Sequence, residues 1–433
     1  MPVDTNINIS DYAAKTKFSF HNADIPIVNQ KGIIPIGLDV GYSSTKVYSI
    51  FGRHIFPSFL IRLSDDFAIT EKDTDILYKD EKGQIWAVGK TAHERILGET
   101  KIQTRKLYGR QRIDSPEFLV LLRVGIFFGL IKKDLGRTFL LETKGNIKIR
   151  TGLPVDYFET DKEILENKIV GHHRYEVKVG KRNWVKVNLD IAEDDVSVIM
   201  QPFGTLWSLA ASIQGDLVDN DLLNKNVLIY DGGQHTTDTY FNQKGRGGIN
   251  TTWTDISMVS IISKVREAVL KATGNQGDFR EYSFDDIVSS SNEYGSGVIK
   301  YMKSDANKKD VQFYDMTNDI IRCTEEVVEY AINELNIVYN YLLDFNTLIC
   351  TGGVGKLFYP YFKRQYHYID VMLAEKTDSD NEAENFDTVF ANVVGYFKSL
   401  VFEIKYSDLL NDELNNGQIQ EPPGTETNVS IEE

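Results

Sequence analysis

Two stretches of this chain share one unusual build, and together they leave few folds open. Val227–Tyr230 is a short apolar run of the kind that fills a buried strand. It stops at Asp231-Gly232-Gly233, where a tight turn needs residues without a bulky Cβ, and Thr236, Thr237 and Asp238 lead into a second run, Thr239–Phe241. Ile33–Ile50 repeats the pattern, with Asp39 ending an apolar strand, Gly41 in the turn, Ser43-Ser44-Thr45 after it, and Lys46 entering another strand. A carboxylate, then glycines, then hydroxyls is a good way to hold a metal-bound phosphate: backbone N–H groups face the anion, and the Asp is placed for magnesium and its waters. An ordinary hairpin also carries Asp and Gly at its turn, so either stretch alone decides little. Two of them, about 190 residues apart, point to two similar domains that grip phosphates from either side of a cleft.

A third stretch, Thr347–Phe358, is a strand ending in Thr351-Gly352-Gly353, and glycine there lets a flat ring or a ribose approach the backbone closely. Gly352–Lys356 is not a Walker A loop. Its glycine spacing is short, and Leu357 stands where a magnesium-binding Ser or Thr is needed.

Together the three stretches resemble the actin-like ATPase superfamily, which includes actin, the Hsp70 ATPase and the sugar kinases. Asp39–Lys46 resembles the first phosphate motif (D-x-G-x-x-x-x-K), Asp231–Asp238 the second (D-x-G-G-x-T-x-D, with Gln234 in place of the second Gly), and Thr351–Gly355 the adenosine motif. The resemblance implies an α/β, ribonuclease H-like two-domain fold with the nucleotide in the interdomain cleft. From about Asn146 to Leu400 the chain is similar to plasmid-segregation actins of the ParM/StbA type. The matching segments are Arg150–Val155, the strand leading to Gln201-Pro202 and its helix, Arg266-Glu267, and the run Phe386-Asp387-x-Val389-x-Ala391-Asn392-x-x-Gly395. That likeness implies a filament of identical subunits, driven by ATP or GTP, that separates plasmids through a small DNA-binding centromere adaptor of the ParR type.

The same resemblance assigns roles by position. Asp39 and Asp231 would hold Mg2+ through its water shell. Gly41, Tyr42, Ser43, Ser44 and Thr45, and Gly232, Gly233, Gln234, His235 and Thr236, would form the phosphate cradle, with Lys46 as a direct cation. Gln201 would orient the attacking water, with Asp231 as acceptor; it stands where ParM-type proteins often carry Glu and where actin has Gln, and only Glu could also take the proton. Arg266 and Glu267 would flank the base or ribose, and Gly352, Gly353 and Val354 the adenosine. The plainer readings are exposed helix charges for Arg266 and Glu267, a satisfied polar group for Gln201, and a turn residue for His235.

At 433 residues the chain has room for two domains with full cores, and 42% hydrophobic with 26% charged residues is a globular balance. A net charge of −15 argues against direct binding to DNA phosphates. Two cysteines, Cys323 and Cys350, make no disulfide framework and suit a reducing cytoplasm. No signal peptide is visible, and the most apolar run, Phe118–Ile131, is too short for a bilayer and is broken by Arg123, Gly125 and Gly129. It reads as a helix buried in the first domain, and no membrane partner is expected.

In chain order, residues 1–31 read as an N-terminal arm, disordered or a contact segment. Residues 32–222 form the first domain, with an outer subdomain at about 64–115 whose basic cluster (Lys101, Arg105, Lys106, Arg110, Arg112) reads as a solvated face. Residues 223–408 form the second, with an outer subdomain at about 274–318, a long amphipathic helix over Ile320–Leu342, and a closing helix at 386–402 that packs back on the first domain. Residues 409–433 are acidic and poor in apolar side chains, and read as a disordered tail. The competing functions are an actin-fold small-molecule kinase, which needs a separate catalytic base, and a cytoskeletal actin homologue outside plasmid segregation. An Hsp70-like chaperone would need a further β-rich domain.

Overall fold

The computed structural model describes residues 16–63, 72–92, 110–133, 140–144, 146–244, 246–274, 297–305 and 308–415. Each Asp-bearing hairpin nucleates a sheet of the same plan. In the first half, Gly52–Pro57, Ser44–Ser49 and Ile34–Val40 run antiparallel, and Ile34–Val40 then pairs in parallel with Ile147–Leu153, which pairs in parallel with Val196–Met200. In the second half, Thr237–Gln243 pairs antiparallel with Asn226–Gly232, and the parallel strands Thr347–Thr351 and Asp370–Leu373 follow. The strands bearing Asp39 and Asp231 lie inside their sheets, with layers on both faces, so both read as nearly continuous apolar runs.

Helix Pro116–Leu130 covers Ile34–Val40 and Ser44–Ser49. Ser115 caps it by accepting from the Phe118 N–H at 3.1 Å. Arg123, which interrupts this apolar run, is satisfied: its guanidinium donates to Tyr78 Oη at 2.8 Å and to Glu81 at 2.7 Å. Those partners belong to a third six-stranded sheet that departs from the expected contiguous outer subdomain at 64–115. Leu60–Arg62, Ile85–Val88 and Ile76–Lys79 are continued by Gly171–Val179, Val185–Ile191 and Leu140–Lys144. The expected pair around residues 80–83 is present, but its open edge is filled by strands about a hundred residues downstream, a pairing that local pattern does not encode.

The N-terminal segment also differs from the arm expected over 1–31. Lys17–Phe20 adds an edge strand antiparallel to Gly52–Pro57, Pro26–Lys31 is a short helix, and Ile25 and Val28 are buried. Its few apolar side chains suffice because they enter a core that the rest of the chain supplies. Residues 1–15 lie outside the described residues.

Helix Met258–Ala272, capped by Ser257, packs on helix Thr317–Val338. Of the outer subdomain expected at 274–318, the hairpin Val298–Asp305/Lys308–Asp315 is described, and residues 275–296 are not. The closing helix runs Ala391–Asn415, starting later and ending later than the expected 386–402. No glycine or proline interrupts it between Gly395 and Gly417, so it continues into the stretch read as tail. Residues 416–433 lie outside the described residues.

The closing helix lies against Ile34–Val40, Ile147–Leu153 and helix Gln201–Ala210 of the first half. A shared core between the two main sheets collects Leu206, Ala210, Ile229, Ile349, Phe390, Val393 and Phe397. The contact is closest where Gly395 crosses Gly204: a Cβ on Gly395 would stand 1.6 Å from the Gly204 carbonyl oxygen.

Candidate active site

The two hairpins close with the same bond. Gly41 N–H donates to Ser44 O at 3.1 Å, and Gly233 N–H donates to Thr236 O at 2.8 Å. The register places Lys46 opposite Asp39 in the first hairpin and Asp238 opposite Asp231 in the second. One cleft is lined by Asp39, Gly41, Tyr42, Ser43, Ser44 and Lys46 from the first hairpin and by Asp231, Gly232, Gly233, Gln234, Thr236 and Asp238 from the second. Gly352, Gly353 and Val354 reach it from the start of helix Gly352–Gln365, and Gln201 from the first residue of its helix. The cavity holds about 200 Å³ and opens to solvent at its mouth.

Within it, Lys46 Nζ lies 2.9 Å from Asp39 Oδ2. Gln201 Nε2 donates to the other Asp39 oxygen at 3.3 Å, which leaves the Gln201 carbonyl oxygen to accept from a water. Burial alone would lower the Lys46 ammonium, but Asp39, with Asp231 and Asp387 behind it, outweighs that and raises it. Asp231 is pushed above the usual carboxylate range by burial, against a donated bond from Asn392 Nδ2 at 2.7 Å and the nearby Lys46 charge. Asn392 in turn accepts from Thr205 Oγ1 at 2.6 Å, so the closing helix links Asp231 to the helix that carries Gln201. Burial lifts Asp238 to about 7 despite hydrogen bonds from Thr252 and Thr236.

Two buried carboxylates, Asp39 and Asp231, thus face one cleft with hard oxygen donors, and the raised Asp231 is a carboxylate short of positive charge. Such a donor set fits magnesium, which keeps several waters and takes only one or two carboxylates. Among the described residues no group of three or more His, Cys, Asp or Glu is placed to hold a metal by itself.

Backbone packing explains the first glycine of the third stretch. Gly352 has φ +75°, and a Cβ there would stand 2.4 Å from Gly232 O and 2.9 Å from Asp231 Oδ1. Only glycine lets this loop lie directly on the second hairpin.

Not every expected residue lines the cleft. Thr45 is buried, its hydroxyl paired with Ser58 Oγ at 3.1 Å. His235 lies at the tip of its loop with its ring 4.8 Å from that of Tyr42, so the two hairpins touch through an aromatic pair. Arg266 and Glu267, expected beside the nucleoside, are not brought into the lining, which takes Met258 from their helix instead. The helix turns Met258, Ile261, Ile262, Val265 and Val269 into the core, leaving Arg266 half-buried and Glu267 exposed on its flanks.

Other lining residues carried no role in the sequence reading: Arg112, Lys356, Asp387 and Asn392. Arg112 in particular leaves the basic cluster read as a solvated face. Its Nη2 donates to Val40 O at 2.7 Å, and its guanidinium stacks 3.8 Å from the Tyr42 ring centroid. Asn392 could have been suspected from its place in the closing-helix run, but a lone Arg after a basic cluster gives no such signal.

This architecture, two Asp-hairpin sheets of one plan facing each other across a cleft and joined by a returning helix, is the actin-like fold. Residues 37–204 match the family model described as the N-terminal domain of actin-like proteins. No curated protein matches the sequence. Among solved structures, the chain is similar to a 15-stranded ParM filament from Clostridium botulinum, at 21% identity and TM-score 0.62, covering 85% of this chain and 98% of that one. A non-polymerisable quadruple mutant of pCBH ParM gives 20% identity and TM-score 0.61, covering 84% and 98%. The archaeal actin homologue Ta0583 in complex with ADP gives 17% and 0.57, covering 85% and 99%. Among the described residues no helix is long and apolar enough to cross a membrane.

Proposed function

We propose that this protein is a nucleotide-driven, filament-forming actin-like ATPase that segregates plasmid DNA through a small DNA-binding adaptor. The observation that carries the enzymatic part is the bond from Gln201, at the start of its helix, to Asp39 of the first hairpin, inside the cleft that both Asp-bearing hairpins line. In-line attack of water on a terminal phosphate is mostly a matter of positioning and charge stabilisation. Asp39 and Asp231 would hold Mg2+, which would supply charge neutralisation for the phosphates. The two turns, Gly41–Ser44 and Gly232–Thr236, offer backbone N–H groups to the phosphates, and Lys46 adds a cation. Gln201 accepts from the attacking water through its free carbonyl oxygen. Gly352, Gly353 and Val354 hold the nucleoside, whether adenosine or guanosine.

Self-association is supported by the likeness to a ParM filament, and nucleotide binding by the likeness to an ADP-bound actin homologue. The net charge of −15 argues against direct contact with DNA phosphates, which supports giving that contact to a separate adaptor, in this reading one of the ParR type. The test is light scattering and phosphate release after adding Mg-ATP or Mg-GTP to purified protein, with negative-stain microscopy of the product. Scattering should rise above a critical concentration and relax as nucleotide is consumed, and Asp231→Ala should slow phosphate release by orders of magnitude while nucleotide still binds. A protein that stays monomeric at tens of micromolar (roughly where weak contacts populate) and phosphorylates a small molecule would establish the kinase alternative instead.

A further inference from the structure

We propose that Arg112 is a catalytic residue of this site, donating a charge-assisted hydrogen bond from Nη1 to the terminal phosphoryl group of a bound nucleoside triphosphate. This rests on the nucleotide-binding reading above.

Arg112 belongs to the short turn Arg110–Asp114 ahead of helix Pro116–Leu130, outside both phosphate hairpins, yet its side chain lines the cleft. Two contacts fix the guanidinium from the first-hairpin side: the 2.7 Å bond from Nη2 to Val40 O and the 3.8 Å stack on Tyr42. Tyr42 meets His235 of the opposite hairpin in a tilted ring contact, so the contacts from Arg112 through Tyr42 to His235 span the two loop tips. Nη1 is buried and has no hydrogen-bond partner among the described residues. A buried cationic donor left open is costly, and proteins rarely leave one without a purpose. Lys46, by contrast, is already paired with Asp39 at 2.9 Å.

The chemistry of the missing partner follows from the surroundings. The carbonyl of Val40 and the face of Tyr42 occupy other parts of the guanidinium, so the remaining N–H suits one more acceptor, and a planar guanidinium held rigidly is well matched to a phosphoryl oxygen. Its place at the hairpin tips, and not with the nucleoside loop Gly352–Val354, points to the end of the phosphate chain. In hydrolysis the water oxygen bonds to the terminal phosphorus as the bond to the bridging oxygen breaks and the nucleoside diphosphate leaves, and Nη1 would hold an equatorial oxygen of the phosphoryl group in transfer.

The rival is a purely structural clamp that holds Val40 and Tyr42 in place. The two are separated by titrating wild type, Arg112→Lys and Arg112→Ala with Mg-ADP and with a non-hydrolysable Mg-ATP analogue, following intrinsic fluorescence, after thermal melts of the nucleotide-free proteins. Arg112→Ala should weaken the triphosphate analogue about 10- to 100-fold more than ADP, the range expected of one charge-assisted bond. Arg112→Lys, which keeps the charge and loses the fork, should fall between. Equal weakening of both nucleotides in both variants, or no weakening, overturns the assignment to the terminal phosphate. Wild-type protein that binds neither nucleotide overturns the underlying reading itself, and that result appears before any variant is made.

Discussion

Replacing Gly395 by alanine puts two opposing effects at one position, and the structure decides between them. Gly395 lies in the first turns of the 25-residue closing helix, where alanine should gain about 1 kcal/mol over glycine from helix propensity alone. Its added Cβ, however, would stand 1.6 Å from Gly204 O, 2.5 Å from Gly204 C and 2.9 Å from Ser208 N. All three are backbone atoms of helix Gln201–Ala210, so no rotamer change relieves the overlap and the two helices must separate. Overpacking of this kind typically costs 1–3 kcal/mol, and a clash with main chain belongs at the upper end, about 3 kcal/mol. The net is a loss of about 2 kcal/mol, or roughly 2 °C in melting temperature for a chain of this size. Function should suffer in proportion, because Asn392 sits one turn earlier on the same face and bonds both Asp231 and Thr205. Scanning calorimetry of the nucleotide-free protein and of its Mg-nucleotide complex measures both effects. An unchanged or raised melting temperature would show that the helices do not cross this closely, and the account of how Gln201 and Asp231 are held together would go with it.

Asn392→Ala removes the donor that holds Asp231 ionised against its burial, so Asp231 should rise further and the pH needed for magnesium-dependent nucleotide binding should move upward. A bond to a charged group is worth about 1.5–3 kcal/mol, so magnesium titrations should show roughly tenfold weaker binding or worse. His54 is buried among Phe18, Phe20 and Phe128 with no hydrogen-bond partner on either ring nitrogen among the described residues, and burial lowers it to about 3. Its folded form binds fewer protons than the unfolded chain, so its contribution is intact above about pH 6.5 and is lost as pH falls toward 3, by about 1.4 kcal/mol per unit at the steepest. His54→Phe should remove that part of the acid sensitivity, which parallel denaturant titrations at pH 7 and pH 5 would reveal as a smaller pH difference than in wild type. Residues 416–433 carry Glu421, Glu426, Glu432 and Glu433 and no Lys or Arg, so their removal should increase lateral bundling of polymer at low salt while leaving phosphate release unchanged. Pelleting assays at two ionic strengths compare the two, and loss of pelletable polymer would instead make the segment part of the assembly contact.

What the sequence alone determined was local. The two hairpins, with Gly41 and Gly233 in matching turns and Asp39 and Asp231 at the strand ends, follow from residues within about ten positions of one another, where turn chemistry fixes register. Helices Pro116–Leu130 and Thr317–Val338 were legible for the same reason, since an apolar run and apolar periodicity are short-range signals. Tertiary structure decided which edges and faces met. Lys17–Phe20 became a strand because Gly52–Pro57 offered it an open edge, and the strand pair at 76–88 grew into six strands by recruiting residues 60–62, 140–144 and 171–191. The site divided along the same line. Asp39, Lys46, Asp231 and Gly352 could be read from motifs, whereas Arg112 turned into the cleft and Arg266 stayed out of its lining. A side chain's direction depends on how its element docks, and docking is settled by complementary surfaces that lie far apart in the chain.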